Sequence, residues 1–296
     1  MNYVNCNKKD LEKEYAALVA EYEEVKGKGL KLNMARGKPG EDQLNLSRPL
    51  LDVINSSTDC ITAHGADCRN YGELAGIDEC KNFFAEIFDV DPSDVMVGGN
   101  SSLNMMFDTI AGFMTKPVVE GCKPWYEVKN RKFLCPAPGY DRHFAITEYF
   151  DFDLIPVPMT ENGPDMDVVE KLVENDDSIK GIWCVPKYSN PLGITFSDET
   201  VKRFAALKPA AKDFRIMWDN AYCVHDVTDT PDELLSLMAE CRKTGNVDLP
   251  IMFTSTSKIT FPGSGVAAMA ASDNNMKVIK NRYQYQVISY DKMNML

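Results

Sequence analysis

The sequence lacks the features that mark membrane and secreted proteins. No stretch approaches the roughly 18 consecutive apolar residues that a membrane-spanning helix needs, and the first 15 residues contain no apolar signal core. Disorder is excluded as well, because 44% of the residues are hydrophobic and only 26% are charged. We therefore expect a cytoplasmic protein with a large core and no membrane partner.

Paired cysteine motifs and histidine clusters are also missing. The nine cysteines are scattered singly, with no CxxC pair, and an odd number cannot all pair internally. This pattern is typical of reduced, buried thiols rather than of zinc ligands or nucleophiles. The three histidines lie too far apart in the sequence to form a metal cluster. We expect no metal.

Positive charge is scarce. The chain has 32 Lys plus Arg against 44 Asp plus Glu, which gives a formal net charge of −12. A negative surface repels phosphate backbones, and the clearest basic patch, residues 129–132, is short. Nucleic acid is therefore not expected as a partner.

What is present is a regular alternation of short apolar runs and helical patterns from residue 76 onward. It predicts a three-layer α/β/α protein, in which helices cover both faces of a mainly parallel sheet of seven strands. Such sheets bind ligands at the carboxyl ends of their strands. An amphipathic helix over 8–25 lies outside this rhythm. The strands are predicted at 95–97, 132–135, 153–156, 181–185, 214–218, 251–254 and 266–271, and the helices between them at 77–88, 101–114, 167–174, 197–207 and 231–241.

Four segments place polar residues at predicted strand ends. Each of the first two, taken alone, is only weak evidence for a binding site. In VMVGGNSSLNMMF, Asn100 and Ser101 with the backbone amides of a helix N-terminus could bind a phosphate, although an ordinary N-cap is the commoner reading. In IWCVPKYSNPLG, Asn190 follows an apolar strand in what is, by itself, a turn.

The other two segments each carry an ionisable group. FRIMWDNAYCVHD places Asp219 directly after a strand, where a buried carboxylate needs a partner and an exposed one simply begins a loop. IMFTSTSKITFPGSG ends a strand in hydroxyl residues followed by Lys258, which is either an amine nucleophile or a solvated lysine. Together the four segments contain the parts of a pyridoxal phosphate (PLP) site: an anion hole, a phenolate partner, a pyridinium partner and an imine-forming amine.

From about residue 34 to residue 271 the sequence resembles the fold type I, class I/II PLP-dependent aminotransferases. NPLG is similar to the family's NPxG turn, DNAY to its DxAY segment and STSK to its SxSK lysine motif. The accompanying segments ARGKPG, NYGELAG, GGNSSL and PGYDRH, which precede these motifs in the chain, also occur in the order typical of the family. All the motifs in order are far more specific than any one of them.

The resemblance implies roles for residues around the ring of the cofactor. Lys258 would form the Schiff base and then shuttle the substrate α-proton. Asp219, oriented by His143, would keep the pyridine nitrogen protonated. Asn190 and Tyr222 would hydrogen-bond the phenolic oxygen. Tyr140 would stack on the face of the pyridine ring.

Further roles concern the phosphate, the substrate and the partner subunit. Gly99, Asn100 and Ser101 would cradle the phosphate, with Ser255 and Ser257 beside them. Tyr71 matches a tyrosine that reaches the phosphate of the neighbouring subunit, which implies a homodimer. The residues implied in substrate binding are Arg36, Gly37, Tyr140 and Asn190.

The sequence departs from the family pattern in two places. Residues 262–265 read PGSG where many members read PGxR, so Gly265 replaces a phosphate-binding arginine, and another cation or more backbone amides must compensate. SKITFPGSGVA is most similar to the MocR-like (aspartate) aminotransferase subgroup. The arginine that binds the substrate carboxylate is expected beyond residue 296.

These features lead to a domain scheme and a function. We predict an N-terminal helix and substrate-closing segment over 1–50 as part of the small domain, a PLP-binding large domain over 51–285, and the start of a truncated C-terminal small domain over 286–296. The tail over 281–296 is expected to begin a long helix. The predicted function is transfer of an amino group between an amino acid and a 2-oxo acid, although this chain alone need not turn over substrate. Another PLP-dependent lyase or decarboxylase, an effector-binding domain of a transcription regulator, and a merely structural Lys258 remain alternatives.

Overall fold

The computed structural model describes residues 3–32 and 37–296 and divides the chain into two compact units, Met1–Leu46 and Ser47–Leu296. The first unit contains helices α1 (Lys8–Gly27) and α2 (Glu41–Leu46). The Asn7 side chain caps α1 by accepting a hydrogen bond from the amide of Asp10. The predicted helix is present, and its apolar side chains, Tyr15 and Tyr22 among them, are exposed.

The second unit contains one sheet of eight strands in the order β1-β8-β7-β6-β5-β2-β3-β4. Neighbouring strands from β7 through β6, β5 and β2 to β3 run parallel, and the pairs at both edges are antiparallel. The strands are β1 (Val95–Val97), β2 (Lys132–Ala137), β3 (Asp153–Thr160), β4 (Gly163–Pro164), β5 (Ile179–Cys184), β6 (Arg215–Asp219), β7 (Pro250–Ser255) and β8 (Ala267–Ala271).

The mainly parallel α/β fold is confirmed, and the predicted strand count was one too low. All seven predicted strands are present, β1 with the predicted bounds. The eighth is β4, two residues that pair with the end of β3. Its signal was missed because two residues, one of them proline, are too few to show an alternating pattern.

The helices of this unit cover both faces of the sheet. Helix α5 was not predicted, and the predicted helix over 231–241 begins later, at Leu237. The expectation that residues 281–296 begin a long helix was wrong, because α9 ends at Gln286 and the Asp291 side chain caps a new short helix. The helices are α3 (Asp78–Phe88), α4 (Ser102–Thr115), α5 (Asp141–Tyr149), α6 (Met166–Asn175), α7 (Asp198–Ala205), α8 (Leu237–Thr244), α9 (Asp273–Gln286) and α10 (Lys292–Met295).

Side-chain alternation along the strands separates the core into two clusters. In β6, Ile216 and Trp218 face the cluster that contains α3, α6, α7 and α8, while Met217 faces the one that contains α4, α5 and α9. Asp219 comes two residues after Met217, so its side chain belongs to the α4, α5 and α9 face. Ser255 has the same relation to Phe253 in β7. The alternation therefore directs both polar side chains to one face.

A buried ion pair joins β5 to the segment before β6. The Lys180 ammonium donates to Asp213 Oδ1 at 2.8 Å, and the Trp125 indole donates to Asp213 Oδ2 at 2.9 Å. The side chains of Lys180 and Asp213 are 7% and 5% exposed. Lys132 and Asp176 form a similar pair at 2.7 Å, but their side chains are 32% and 31% exposed.

These two pairs provide a matched test of burial. Lys180→Met leaves a carboxylate buried without its cation, and we expect the free energy of unfolding to fall by about 3–5 kcal/mol. Lys132→Met should cost about 1 kcal/mol or less, because water screens that pair. Urea denaturation of both variants measures the difference, and equal losses would contradict the assignment of Lys180 to the core.

Candidate active site

Three adjacent parallel strands end at one edge of the sheet and bring the predicted site residues together. Asp219 is the last residue of β6, Asn190 lies in the loop after β5, and Lys258 ends a short 3-10 helix directly after β7. The carboxyl ends of parallel strands meet at the same edge, where ligands bind in sheets of this kind. Their proximity is therefore a consequence of the strand order.

The floor of the site is a buried carboxylate. Asp219 is 3% exposed, and its Oδ2 lies 2.9 Å from Nε2 of the buried His143, which α5 provides. The imidazole stacks on Trp183 at 4.6 Å between ring centres, and the Tyr140 ring contacts it edge-on. In the described part of the chain, Asp219 Oδ1 is buried without a hydrogen-bond partner. This oxygen can accept a hydrogen bond from a ligand that reaches the floor.

The lysine lies above a tyrosine ring. The Nζ atom of Lys258, an exposed side chain, is 4.7 Å from the centre of the Tyr222 ring. Burial chiefly, with smaller contributions from Asp219 and Tyr140, raises the pKa of the Tyr222 phenol, and the Asn190 side chain opposes that rise. Lys258, Tyr222, Asn190 and Asp219 thus lie together at one edge of the sheet, and we call this group of residues the cleft.

The N-terminus of α4 lies at the same edge of the sheet, because β1 and β7 are both antiparallel to β8. Gly99, Asn100 and Ser101 precede the helix, and the Asn100 side chain donates to the carbonyl of Gly263 at 3.2 Å. Ser101 occupies the N-cap position, but its side chain makes no capping hydrogen bond. The simple N-cap reading therefore does not describe Ser101, and its hydroxyl joins the amides of the first turn as a group able to bind an anion.

The two serines before the lysine bond to each other. Ser255 Oγ and Ser257 Oγ are 2.7 Å apart. Ser255 is the last residue of β7, and Ser257 lies in the 3-10 helix that ends at Lys258. The pair can supply hydroxyl donors to the same region of the cleft.

Three further residues were predicted to belong to the site. The side chain of Tyr71, in the loop before α3, is exposed. Gly37 lies in the first compact unit. Arg36 lies outside the described residues. Their roles stay predictions.

Comparisons with known proteins decide the family. A family model described as aspartate amino-transferase matches residues 7–296. The chain belongs to this family. A candidate aminotransferase of Mycolicibacterium smegmatis is 43% identical over 297 residues, which cover 100% of this chain and 69% of that protein. An aspartate aminotransferase of Corynebacterium glutamicum is 42% identical over 275 residues, which cover 93% of this chain and 63% of the relative.

A solved structure agrees in fold. The crystal structure of an aspartate transaminase from Corynebacterium glutamicum superposes with a TM-score of 0.91 at 40% identity, over 99% of this chain and 68% of that one. The chain thus spans about two thirds of the length of these relatives. The homologues support a PLP-dependent aminotransferase function, and no described helix is long and apolar enough to cross a membrane.

The residues of the cleft fit the cofactor that the aminotransferase family implies. The unpartnered oxygen of Asp219 suits the protonated nitrogen of a pyridine ring, because a buried carboxylate oxygen needs a donor. The Lys258 amine and the hydroxyl and amide groups before α4 suit the aldehyde and the phosphate of PLP. The chemistry of this set of donors and acceptors therefore fits PLP.

The departure at Gly265 has a steric reason in this aminotransferase. A Cβ on Gly265 would lie 2.8 Å from the backbone nitrogen and 2.9 Å from the Cα of Ser257. Any side chain at this position would displace the segment that carries Lys258. The backbone here needs glycine, so an arginine cannot replace it without rearrangement.

Sequence reasoning missed a network that joins the loops carrying Asn190 and Tyr222. The buried Lys187 ammonium donates to Asp226 Oδ1 at 2.9 Å, and the Tyr188 hydroxyl bonds the same oxygen at 3.2 Å. Tyr188 has a φ of 47°, in the left-handed region. The only signals in the sequence were two polar residues before SNPLG and an aspartate after DNAY, and these become informative only when the loops are adjacent.

Two glycines of the PGSG turn provide a matched test of this packing. Gly265→Ala should lower the free energy of unfolding by about 1–3 kcal/mol, because the added methyl group meets rigid backbone. Gly263→Ala should change it little, since nothing lies within 4 Å of its Cβ position. Urea denaturation measures both, and equal effects would refute the steric reason for glycine at 265.

Proposed function

We propose that the chain is the cofactor-binding part of an aminotransferase that attaches PLP through Lys258 and moves an amino group between an amino acid and a 2-oxo acid. One observation carries this proposal: the Lys258 amine lies over Tyr222 in the cleft that also contains the unpartnered oxygen of Asp219. Family membership supports the reaction type. The amino donor and the acceptor are small molecules with carboxylates.

The cofactor and the lysine have separate tasks. When bound, PLP supplies an electron sink that stabilises negative charge at the α-carbon of an amino acid. Lys258 supplies the amine that holds the cofactor, and once released it carries the proton away from the α-carbon and returns it elsewhere. Its exposed position above the Tyr222 ring leaves the amine free to move between these tasks.

Asp219 and His143 maintain the electron sink. The carboxylate would accept the hydrogen of the protonated pyridine nitrogen through Oδ1, while its Oδ2 is held by His143. His143 is itself fixed by the stacked Trp183. Because the whole group is buried, the attraction between carboxylate and pyridinium is weakly screened.

Asn190, Tyr222 and Tyr140 orient the ring. Asn190 and Tyr222 would both hydrogen-bond the phenolic oxygen of PLP and so orient the ring. Tyr140 contacts His143 edge-on and would stack on the face of the pyridine.

The phosphate would lie at the N-terminus of α4. Backbone amides near Gly99, Asn100 and Ser101 supply donors there, and the serine pair supplies hydroxyls. Together these groups would hold the phosphate of PLP.

Finer assignments extend the proposal beyond the cleft. Membership in the MocR-like subgroup is supported by the PGSG turn. A homodimer, in which Tyr71 reaches the neighbouring phosphate, is supported by the exposure of 82% at Tyr71. Arg36 and Gly37 would close over the substrate in a cytoplasmic enzyme.

Removing the lysine tests the attachment. PLP bound through an amine absorbs visible light, so we expect Lys258→Ala to abolish that absorbance after incubation with PLP. Lys277→Ala, which removes an exposed lysine on α9, should retain it. An unchanged visible spectrum in Lys258→Ala would rule out the proposed role.

The reaction type is tested by single-turnover spectroscopy. We expect L-aspartate or L-alanine to convert the bound cofactor into pyridoxamine phosphate, with release of the matching 2-oxo acid. Release of an amine, or of pyruvate without pyridoxamine phosphate, would instead indicate a decarboxylase or a lyase.

The buried carboxylate is tested by cofactor retention. Asp219→Ala removes the partner of the pyridinium, and we expect PLP affinity to fall by at least about 30-fold, which corresponds to roughly 2 kcal/mol. Equilibrium dialysis measures the loss. Full retention with unaltered amino transfer would contradict the role of Asp219.

A further inference from the structure

Residues 290–295 pack around the segments that form the anion-binding end of the cleft. The Tyr290 ring lies 3.6 Å from the position that a Cβ on Gly99 would take. The Asn294 side chain donates to the carbonyl of Gly265 at 3.2 Å and to that of Ser264 at 2.8 Å. We call residues 290–295 the brace.

The brace contains a buried cation. Lys292 is 3% exposed, and its ammonium donates to the carbonyls of Asn70 at 2.5 Å and Gly72 at 2.9 Å. These residues flank Tyr71. An ammonium has three hydrogens, so the two bonds leave one for a further acceptor.

The charge of Lys292 is not cancelled by a carboxylate bonded to it within the described ranges 3–32 and 37–296. The Arg69 hydrogen bond chiefly, and Lys292 to a smaller extent, lower the pKa of Asp67 to about 2. Asp67 is, however, already paired with Arg69 at 2.8 Å. A buried positive charge that is hydrogen-bonded to carbonyls acts over several ångströms in a medium of low dielectric constant.

The loop that Lys292 holds is hydrogen-bonded to the end of β1, the strand that precedes the anion site. The carbonyl of Ala75 accepts a hydrogen bond from the amide of Val97, the last residue of β1, at 2.9 Å. Gly98 follows and begins the turn into α4. The Met295 sulfur lies 3.4 Å from the position that a Cβ on Gly76 would take, so the brace also contacts this loop.

The anion site itself offers little positive charge. Its groups are amides and hydroxyls, and Gly265 contributes no side chain. A phosphate monoester carries a charge of about −1.5 to −2 at neutral pH, and charge-assisted contacts to such groups are roughly twice as strong as neutral ones. A nearby cation would therefore add substantially to the affinity for the phosphate.

We propose that Lys292 is a positioning residue for the phosphate of PLP, supplying positive charge to the phosphate end of the site and fixing the loop that carries Tyr71. It thereby takes over the task that a cationic side chain at position 265 could not perform. The inference rests on the proposed PLP function, and its test compares two aldehydes that differ only in the phosphate.

The experiment measures the dissociation constants of PLP and of pyridoxal by the visible absorbance that each acquires on Lys258. For Lys292→Met we expect PLP binding to weaken by about 10- to 100-fold, the range for a lost charge-assisted contact. Pyridoxal binding should change less than about twofold, because it has no phosphate. Raised salt should narrow the difference in PLP affinity between the parent and the variant.

Two further variants separate charge from fold support. Lys292→Gln retains an amide donor for the loop carbonyls and covers the case in which Lys292→Met fails to fold; it should still lose PLP affinity selectively. Lys180→Met removes another buried lysine, one bonded to Asp213 in the core, and should leave the ratio of the two affinities unchanged.

The outcomes are distinct. If the Lys292 variants bind PLP and pyridoxal equally more weakly, Lys292 has only a structural role. If they bind both aldehydes as tightly as the parent does, Lys292 has no role in binding the cofactor. If the parent chain forms no visible adduct with either aldehyde, the proposed PLP function fails and this inference fails with it. A selective loss for PLP supports the proposal.

Discussion

The cleft depends on one buried carboxylate. Asp219 lies at the end of a central strand with one oxygen held by His143 and the other without a partner in the described structure. A buried, half-satisfied carboxylate is costly in a protein interior unless a ligand or a cation completes it. The stacked Trp183 and the surrounding parallel strands hold His143 and Asp219 in place. The stability of the core therefore offsets the free-energy cost of burying an acceptor that has no partner.

The order of the strands places the other residues of the site around Asp219. Because β5, β6 and β7 are adjacent and parallel, the loops that follow them deliver Asn190, Tyr222 and Lys258 around Asp219. The antiparallel pairing of β8 with both β7 and β1 brings the turn before α4 beside the PGSG turn, where the amide of Ala267 donates to the carbonyl of Gly99. The anion-binding end and the amine end of the cleft are thus held by one continuous sheet.

Much of the fold and the cleft was predictable, and the failures share a cause. Buried strands are short apolar runs, so β1 was predicted with its observed bounds, and the residues at the strand ends followed from them. The two-residue β4, the polar helix α5 and the break after Gln286 were missed because each depends on contacts made elsewhere in the chain. The Lys187 network and the brace were missed for the same reason.

The sequence by itself determined the alternation of strands and helices, the order of the motifs and the chemical types available at each strand end, because these depend on local periodicity and residue identity. Only the tertiary structure decided which of Asp219's oxygens is left without a partner, why position 265 must be glycine, and where the buried charge of Lys292 lies. Those properties depend on distances between residues far apart in the chain. Such distances exist only after the sheet has formed and packed.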